Sequence, residues 1–192
     1  MAQSSPARLS ARDRLLAAAD ALFYEEGVNT VGIDRVIEQA GVAKASLYSA
    51  FGSKDELIRA YLAARLEARQ ERVAQALADC ETPRERLLAV YDVLGELFAE
   101  PGYRGCAFMN ASAEARPGSA AEAVSRESRA WTRELFRDLA REAGADDPAR
   151  LAEQLVLLYD GATVSARMDR NAGAAAAARA VAATLIDAAT GR

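Results

Sequence analysis

Between Ile33 and Ala50 the sequence permits two helices, roughly Ile33 to Ala40 and about Lys44 to Ala50, and neither is long enough to be stable alone. They meet across Ala40-Gly41-Val42. The glycine permits the positive-φ backbone of a tight interhelical turn, and Val42 can drop into the small core beside it. Ile33, Val36 and Ile37 on the first short helix and Leu47 on the second face inward. A preceding helix from Ser10 to Glu26 carries Leu15, Leu16, Ala19, Leu22 and Phe23 on one face and can cover them. Gly27 ends that helix. These constraints specify a three-helix unit of helix-turn-helix form.

The rest of the chain continues in helices with readable start signals. Ser53-x-x-Glu56 reads as a capping box opening a long helix to about Asp79, and Thr82-Pro83-Arg84-Glu85 opens the next. That helix carries Leu87, Leu88, Tyr91, Leu94, Leu97 and Phe98 before Pro101-Gly102 breaks it. A looser segment, Tyr103 to Pro117, holds one short helix from about Ala107. Ser119-x-x-Glu122 starts a helix to near Gly144, with Trp131, Leu135, Phe136 and Leu139 on its buried face. Asp147-Pro148 begins a helix to about Arg170, and an alanine-rich one follows from roughly Gly173 to Thr190. The chain reads as all-α, about nine helices, with no strand and no internal repeat. It divides into an N-terminal helix-turn-helix domain, 1–52, and a C-terminal helical bundle, 53–192.

Composition narrows the function. Hydrophobic residues make up 51% and charged residues 27%, enough for a packed core with a polar surface. No apolar run approaches the roughly 20 residues that span a bilayer, and Met1 to Ser10 lacks a signal-peptide core. Cytoplasmic residence and no membrane partner are the expectation. Cys80 and Cys106 are far apart and in no metal-like spacing, which fits a reducing compartment without structural disulfides. Histidine is absent, removing the commonest general base and transition-metal ligand. No G-x-S-x-G, H-E-x-x-H or phosphate-cradling glycine loop occurs. Neither an enzyme nor a metal site nor a cofactor is expected. The net charge of −4 speaks against indiscriminate coating of nucleic acid, but a site-specific binder needs only a local basic surface.

Such a surface is present. Lys44 and Ser46 stand at the start of the second short helix, Tyr48 and Ser49 further along it, and Lys54 just beyond. No acidic residue lies between Glu38 and Asp55. Amines, hydroxyls and free N–H groups at a helix start are donors suited to phosphate oxygens and base edges.

Residues Thr30 to Leu57 resemble the DNA-binding domain of the TetR family of bacterial regulators. The resemblance rests on Thr30, Ala40-Gly41-Val42, Leu47-Tyr48, Phe51 and Ser53-Lys54 with Leu57. It covers about Leu15 to Leu62 at motif level and is architectural beyond. It implies that Tyr48 and Lys54 contact phosphates, that Lys44, Ala45 and Ser46 lie against base edges, and that Arg35 approaches the groove edge. Thr30 and Ser49 complete the expected DNA-contacting set. Three positions depart from the family pattern: Ala43, where a capping Ser is usual, Ala50 and Gly32.

The resemblance further implies that the second half senses a small molecule and pairs across a dimer twofold through the last two helices. Gly161, Ala162, Ser165 and Ala166 would allow close helix approach, with Leu155, Leu158, Val164, Val181 and Leu185 as an apolar stripe. Two recognition helices about 34–36 Å apart would read successive major grooves of a palindromic operator on double-stranded DNA. An apolar or aromatic inducer would meet residues among Tyr91, Leu94, Phe98, Phe108, Met109, Asn110, Trp131, Leu135 and Tyr159. The segment Arg104 to Asn110, with Glu114, resembles one found in a subset of the family. Asn110 there fixes a ligand polar group or satisfies backbone carbonyls, and Cys106 is a structural thiol or a reactive sensor, the former favoured. The competing reading is a helical carrier that never touches DNA. It accounts for the bundle but not for Lys44, Ser46, Tyr48 and Lys54 converging on one outer face.

Overall fold

A computed structural model describes residues 9–191. The first eight residues of the N-terminal domain and Arg192 lie outside them, as does most of the Met1–Ser10 stretch read above for a leader. Among the described residues there are nine α-helices and no strand: α1 (Ala11–Glu26), α2 (Ile33–Ala40), α3 (Lys44–Phe51), α4 (Lys54–Ala78), α5 (Pro83–Ala99), α6 (Ala107–Glu114), α7 (Ala120–Glu142), α8 (Pro148–Met168) and α9 (Ala174–Ala189). No helix among them is long and apolar enough to cross a membrane.

The start signals form hydrogen bonds with differing completeness. Ser10, Ser53, Ser119 and Asp147 each accept from the backbone N–H three residues on. Thr82 and Glu85 close a full reciprocal box. The box expected at Ser53 forms only its first half, because the Glu56 carboxylate turns forward to Arg59. At Ser119 the return bond lands one residue earlier, on the Gly118 N–H. At the α2–α3 turn Gly41 takes φ 60° and ψ 44°, a left-handed conformation that a Cβ would strain. Arg14 of α1 donates from Nη1 to the carbonyls of Ala40 (3.3 Å) and Gly41 (3.1 Å), tying the turn to the first helix.

Two apolar clusters organise the packing. One gathers Leu15, Ala19, Phe23, Val36, Leu47, Leu57 and Leu62, and extends to Phe108 and Ala111 on α6 and Val124 on α7. The other joins α5, α7, α8 and α9 around Tyr91, Phe136, Leu155 and Ile186. Trp131 packs against both. The first cluster thus runs across the 52/53 boundary without a break. On α1 and α2, Leu16, Ile33 and Ile37 are only half-buried. On α7 the inward stripe differs from the expected one: Phe136 and Leu139 are buried, Trp131 and Leu135 are half-buried, and Ser125, Ser128 and Thr132 take the interior positions. On α8, Leu155, Ala162 and Ala166 belong to the intramolecular core and are unavailable to a second copy.

Leu57→Ala, which deletes a side chain with no exposed surface, should cost about 2–5 kcal/mol in urea denaturation, whereas Thr82→Ala should cost about 1 kcal/mol through the lost cap. Equal costs would contradict this packing.

Candidate DNA interface and ligand cavity

The outer face of α3 is set by Leu47, whose complete burial aims its helical neighbours outward. Lys44, Ala45 and Ser49 are exposed, Ser46 is half-buried and Tyr48 is 47% exposed although aromatic. Ala43 supplies no side-chain cap; the Ser46 N–H donates to the Ala43 carbonyl at 2.9 Å, which leaves the Lys44 and Ala45 N–H groups ahead of it for an incoming acceptor. Lys54 begins α4 with its Nζ 6.0 Å from the Phe23 ring. Burial pushes its ammonium below the ordinary value, and Glu114 opposes that shift. Thr30 is exposed in the α1–α2 loop.

Two cations of the set are held by neighbours. Lys44 donates to Asp34 Oδ1 at 2.9 Å, and Arg35 bonds Glu26. The hydrogen bond and charge of Asp34 raise the Lys44 pKa, and Glu26 does the same for Arg35. Both pairs are solvated, so salt screens them and another anion can replace the carboxylate. The gap in acidic residues between Glu38 and Asp55 is real along the chain, but the fold lays Asp34 beside Lys44.

Between α4, α5, α6, α7 and α8 lies a cavity of about 840 Å³, within the range of small-molecule sites, roughly 300–1,000 Å³. Leu94, Phe108, Met109 and Tyr159 line it, as expected. The other expected residues stand outside the lining. Tyr91 is core, its hydroxyl donating to the Leu155 carbonyl at 2.7 Å. Phe98 packs on Tyr103. Asn110 is exposed and donates to the Arg104 carbonyl, the backbone-satisfying alternative. Leu135 packs on the second cluster, and Trp131 meets the cavity only through Arg69, whose guanidinium stacks 5.0 Å from its ring. Cys106 is a half-buried free thiol at the α6 N-terminus and faces the cavity.

The lining is far more polar than the sequence suggested. Arg65, Arg69, Arg72, Arg126 and Arg129 contribute to it, with Glu100, Glu122 and Asp160 and the hydroxyls of Ser125, Ser128 and Thr132. Nothing local on α4 marks its arginines as inward; α7, through Ser128 and Thr132, covers Arg69. The signal available in the sequence was the i, i+4, i+7 spacing of Arg65, Arg69 and Arg72, which shares one helix face. Burial raises the Tyr159 phenol above its ordinary pKa, with Arg69 opposing.

Hydrogen bonds at three points link the cavity wall to α1, to the α1–α2 loop and to the start of α4. Tyr24 Oη of α1 donates to the Gly105 carbonyl (2.9 Å) and accepts from the Arg104 N–H. Glu114, ending α6, accepts from the Asn29 N–H at 2.8 Å, and Asn29 Nδ2 donates back to the Glu114 carbonyl. A Cβ at Gly27 would meet that carboxylate at 2.5 Å. Asp55, in the first turn of α4, accepts from the Ala120 N–H that starts α7. Among the described residues no cluster of His, Cys, Asp or Glu is placed to hold a metal ion.

The family described as "Bacterial regulatory proteins, tetR family" matches residues 15–61. The "Tetracyclin repressor-like, C-terminal domain" matches residues 83–182. The HTH-type transcriptional activator FasR of Mycolicibacterium smegmatis is 35% identical over 95 residues, 48% of this chain and 43% of FasR. The HTH-type transcriptional repressor NemR of Escherichia coli is 31% identical over 105 residues, 54% of this chain and 53% of NemR. These matches span about half the length of either curated relative. A TetR-family transcriptional regulator from Streptomyces coelicolor superposes with a TM-score of 0.88 at 30% identity, covering 94% of this chain and 96% of that one. A protein from Streptomyces avermitilis superposes at 0.82 with 37% identity, covering 94% and 98%. Such relatives are regulators and not enzymes, and their similarity runs through both the helix-turn-helix and the bundle. The chain belongs to the TetR family of DNA-binding transcriptional regulators.

Proposed function

We propose that this chain is a cytoplasmic, ligand-responsive repressor that holds a palindromic operator as a homodimer and leaves it when a small molecule fills the cavity. The observation that carries the proposal is the outward set Lys44, Ser46, Tyr48 and Ser49 on α3 with Lys54 beside it. On this reading Ala45 and Ser46 meet base edges, while Tyr48 and Lys54 position the helix on phosphates. Lys44 and Arg35 exchange their carboxylates for DNA, and Thr30 lies at the groove margin. FasR is named an activator and NemR a repressor, so the sign of regulation is part of the proposal.

Dimerisation would use the outer face of α8 and α9. Leu157, Val164 and Met168 on α8 and Val181 on α9 are exposed, from 39% to 77%. Gly161 stands between Leu157 and Val164 with open space over it. This is an apolar stripe with one close-approach point, as a twofold helix contact requires. Half-buried Leu158, Ser165 and Leu185 flank it.

Release follows from the shared wall. α6 contributes Phe108, Met109 and Ser112 to the cavity and ends on Glu114, which holds the α1–α2 loop at Asn29. A ligand that favours a shifted α6 or α4 would move the helix-turn-helix as a body and change the separation of the two recognition helices.

Fluorescence anisotropy with a selected DNA site should show Tyr48→Phe and Lys54→Ala weakening binding at all sequences, with Lys54→Ala lowering the log–log salt slope by about 0.9 if it neutralises one phosphate. An unchanged slope would remove Lys54 from the interface. In sedimentation, Val164→Glu should convert a dimer to a monomer and abolish palindrome binding. A wild-type chain that sediments as a monomer at micromolar concentration would overturn the dimer.

A further inference from the structure

Four of the five cavity-lining arginines have carboxylate partners. Arg65 forms a two-bond pair with Asp20, Arg72 bonds Glu100, Arg126 bonds Glu122 and Arg129 bonds Asp160. Arg69 is the exception. Its Nη2 donates to Ser128 Oγ (2.7 Å), and at 3.3 Å to the Ser128 carbonyl and Thr132 Oγ1. Its guanidinium stacks on Phe108 (4.9 Å) and Trp131 (5.0 Å), and the Tyr159 hydroxyl lies close by. Every one of these partners is neutral. Its Nε is shut off from solvent and has no hydrogen-bond partner. Among the described residues no carboxylate lies within ion-pair distance of it.

A guanidinium drawn from water and given only neutral partners is incompletely compensated. Here the two rings and two hydroxyls fix its orientation before any ligand arrives, which lowers the ordering cost of binding. Hydroxyls at interior positions of α7 serve the same end, since Ser128 and Thr132 hold the Arg69 head. From α5, Val90, Val93, Leu94 and Leu97 contribute aliphatic surface to the same cavity. The cavity thus combines a guanidinium without a carboxylate partner, stacked on aromatic rings, with an aliphatic stretch of wall.

We infer that the cavity takes an amphipathic organic carboxylate, its head on Arg69 and its apolar body along α5. The inference rests on the proposal that this cavity is the effector site, and it replaces a merely apolar inducer with an anionic one. A carboxylate is preferred to a neutral polar group because charge-assisted bonds to guanidinium are roughly twice as strong as neutral ones.

The chain's single tryptophan, Trp131, stacks on Arg69 and reports directly on the site. Tryptophan fluorescence and calorimetry would compare decanoate with decan-1-ol, and 4-phenylbutyrate with 4-phenylbutan-1-ol. At least one acid should bind ten-fold or more tightly than its alcohol. Arg69→Gln should erase that preference while leaving alcohol affinity within about two-fold, and Arg69→Lys should restore part of it. The wild-type comparison of acid with alcohol needs no variant to fold. Equal binding of acid and alcohol, an acid preference that survives in Arg69→Gln, or binding of neither acid would overturn the inference. DNA release is read separately by anisotropy. A carboxylate that binds at Arg69 without releasing DNA keeps this inference and ends the inducer reading. Alcohols that release DNA while no acid binds do the reverse.

Discussion

The apolar cluster shared by α1, α2 and α3 is completed by a fourth helix, α4. Its N-terminal half places Leu57, Ile58, Tyr61, Leu62 and Leu66 under α1 and α3, and Val73 near its other end enters the second cluster. A single rod of 25 residues therefore has its start beside α3 and its middle at the cavity. Because Arg65, Arg69 and Arg72 project from that same rod, anything that binds them acts on an element the helix-turn-helix is packed against. On the proposed reading, sensing and DNA reading share this helix and are not merely tethered.

α6 adds a second, shorter path. It is only two turns long, with neither a side-chain cap nor a basic residue in its last turn to steady it. Its position depends on tertiary bonds: Glu114 to Asn29, the Phe108 carbonyl accepting from Ser125 Oγ, and the flanking Tyr24 bonds to Gly105 and Arg104. These bonds, with Ala107, Phe108 and Ala111 in the first apolar cluster, hold α6 between the cavity and the α1–α2 loop, where on the proposed reading it passes on occupancy.

Helix order, caps and the α2–α3 turn were legible in the sequence because each rests on local chemistry: glycine at positive φ, hydroxyl caps, and apolar spacing of 3.6. The outward residues of α3 were legible for the same reason, since burying Leu47 fixes its neighbours. The cavity was legible only in its apolar half. Leu94, Phe108, Met109 and Tyr159 could be chosen by type, but so could Tyr91 and Phe98, which are plain core. Ser128, Thr132 and Arg69 escaped because polar residues on a helix default to solvent, and nothing local says that a neighbouring helix will cover them. The long-range pairings escaped likewise: Asp34 reaches Lys44 and Arg14 reaches the α2–α3 turn only once the three helices are stacked.

The carboxylates beside Lys44 and Arg35 have a thermodynamic consequence. A free lysine in front of DNA gathers no permanent counterion, and its phosphate contact releases condensed cations from the duplex to the bulk. Lys44 instead carries Asp34 as an anion that cannot diffuse away. On the proposed reading, exchanging it for a phosphate leaves that carboxylate stranded near the DNA, where it retains a cation of its own. Part of the entropy of ion release is thereby withheld, at the wrong sequence as well as the right one. Non-selective sticking, which lives on that entropy, is weakened more than base reading is, so an acidic chain can search a genome without being held by most of it.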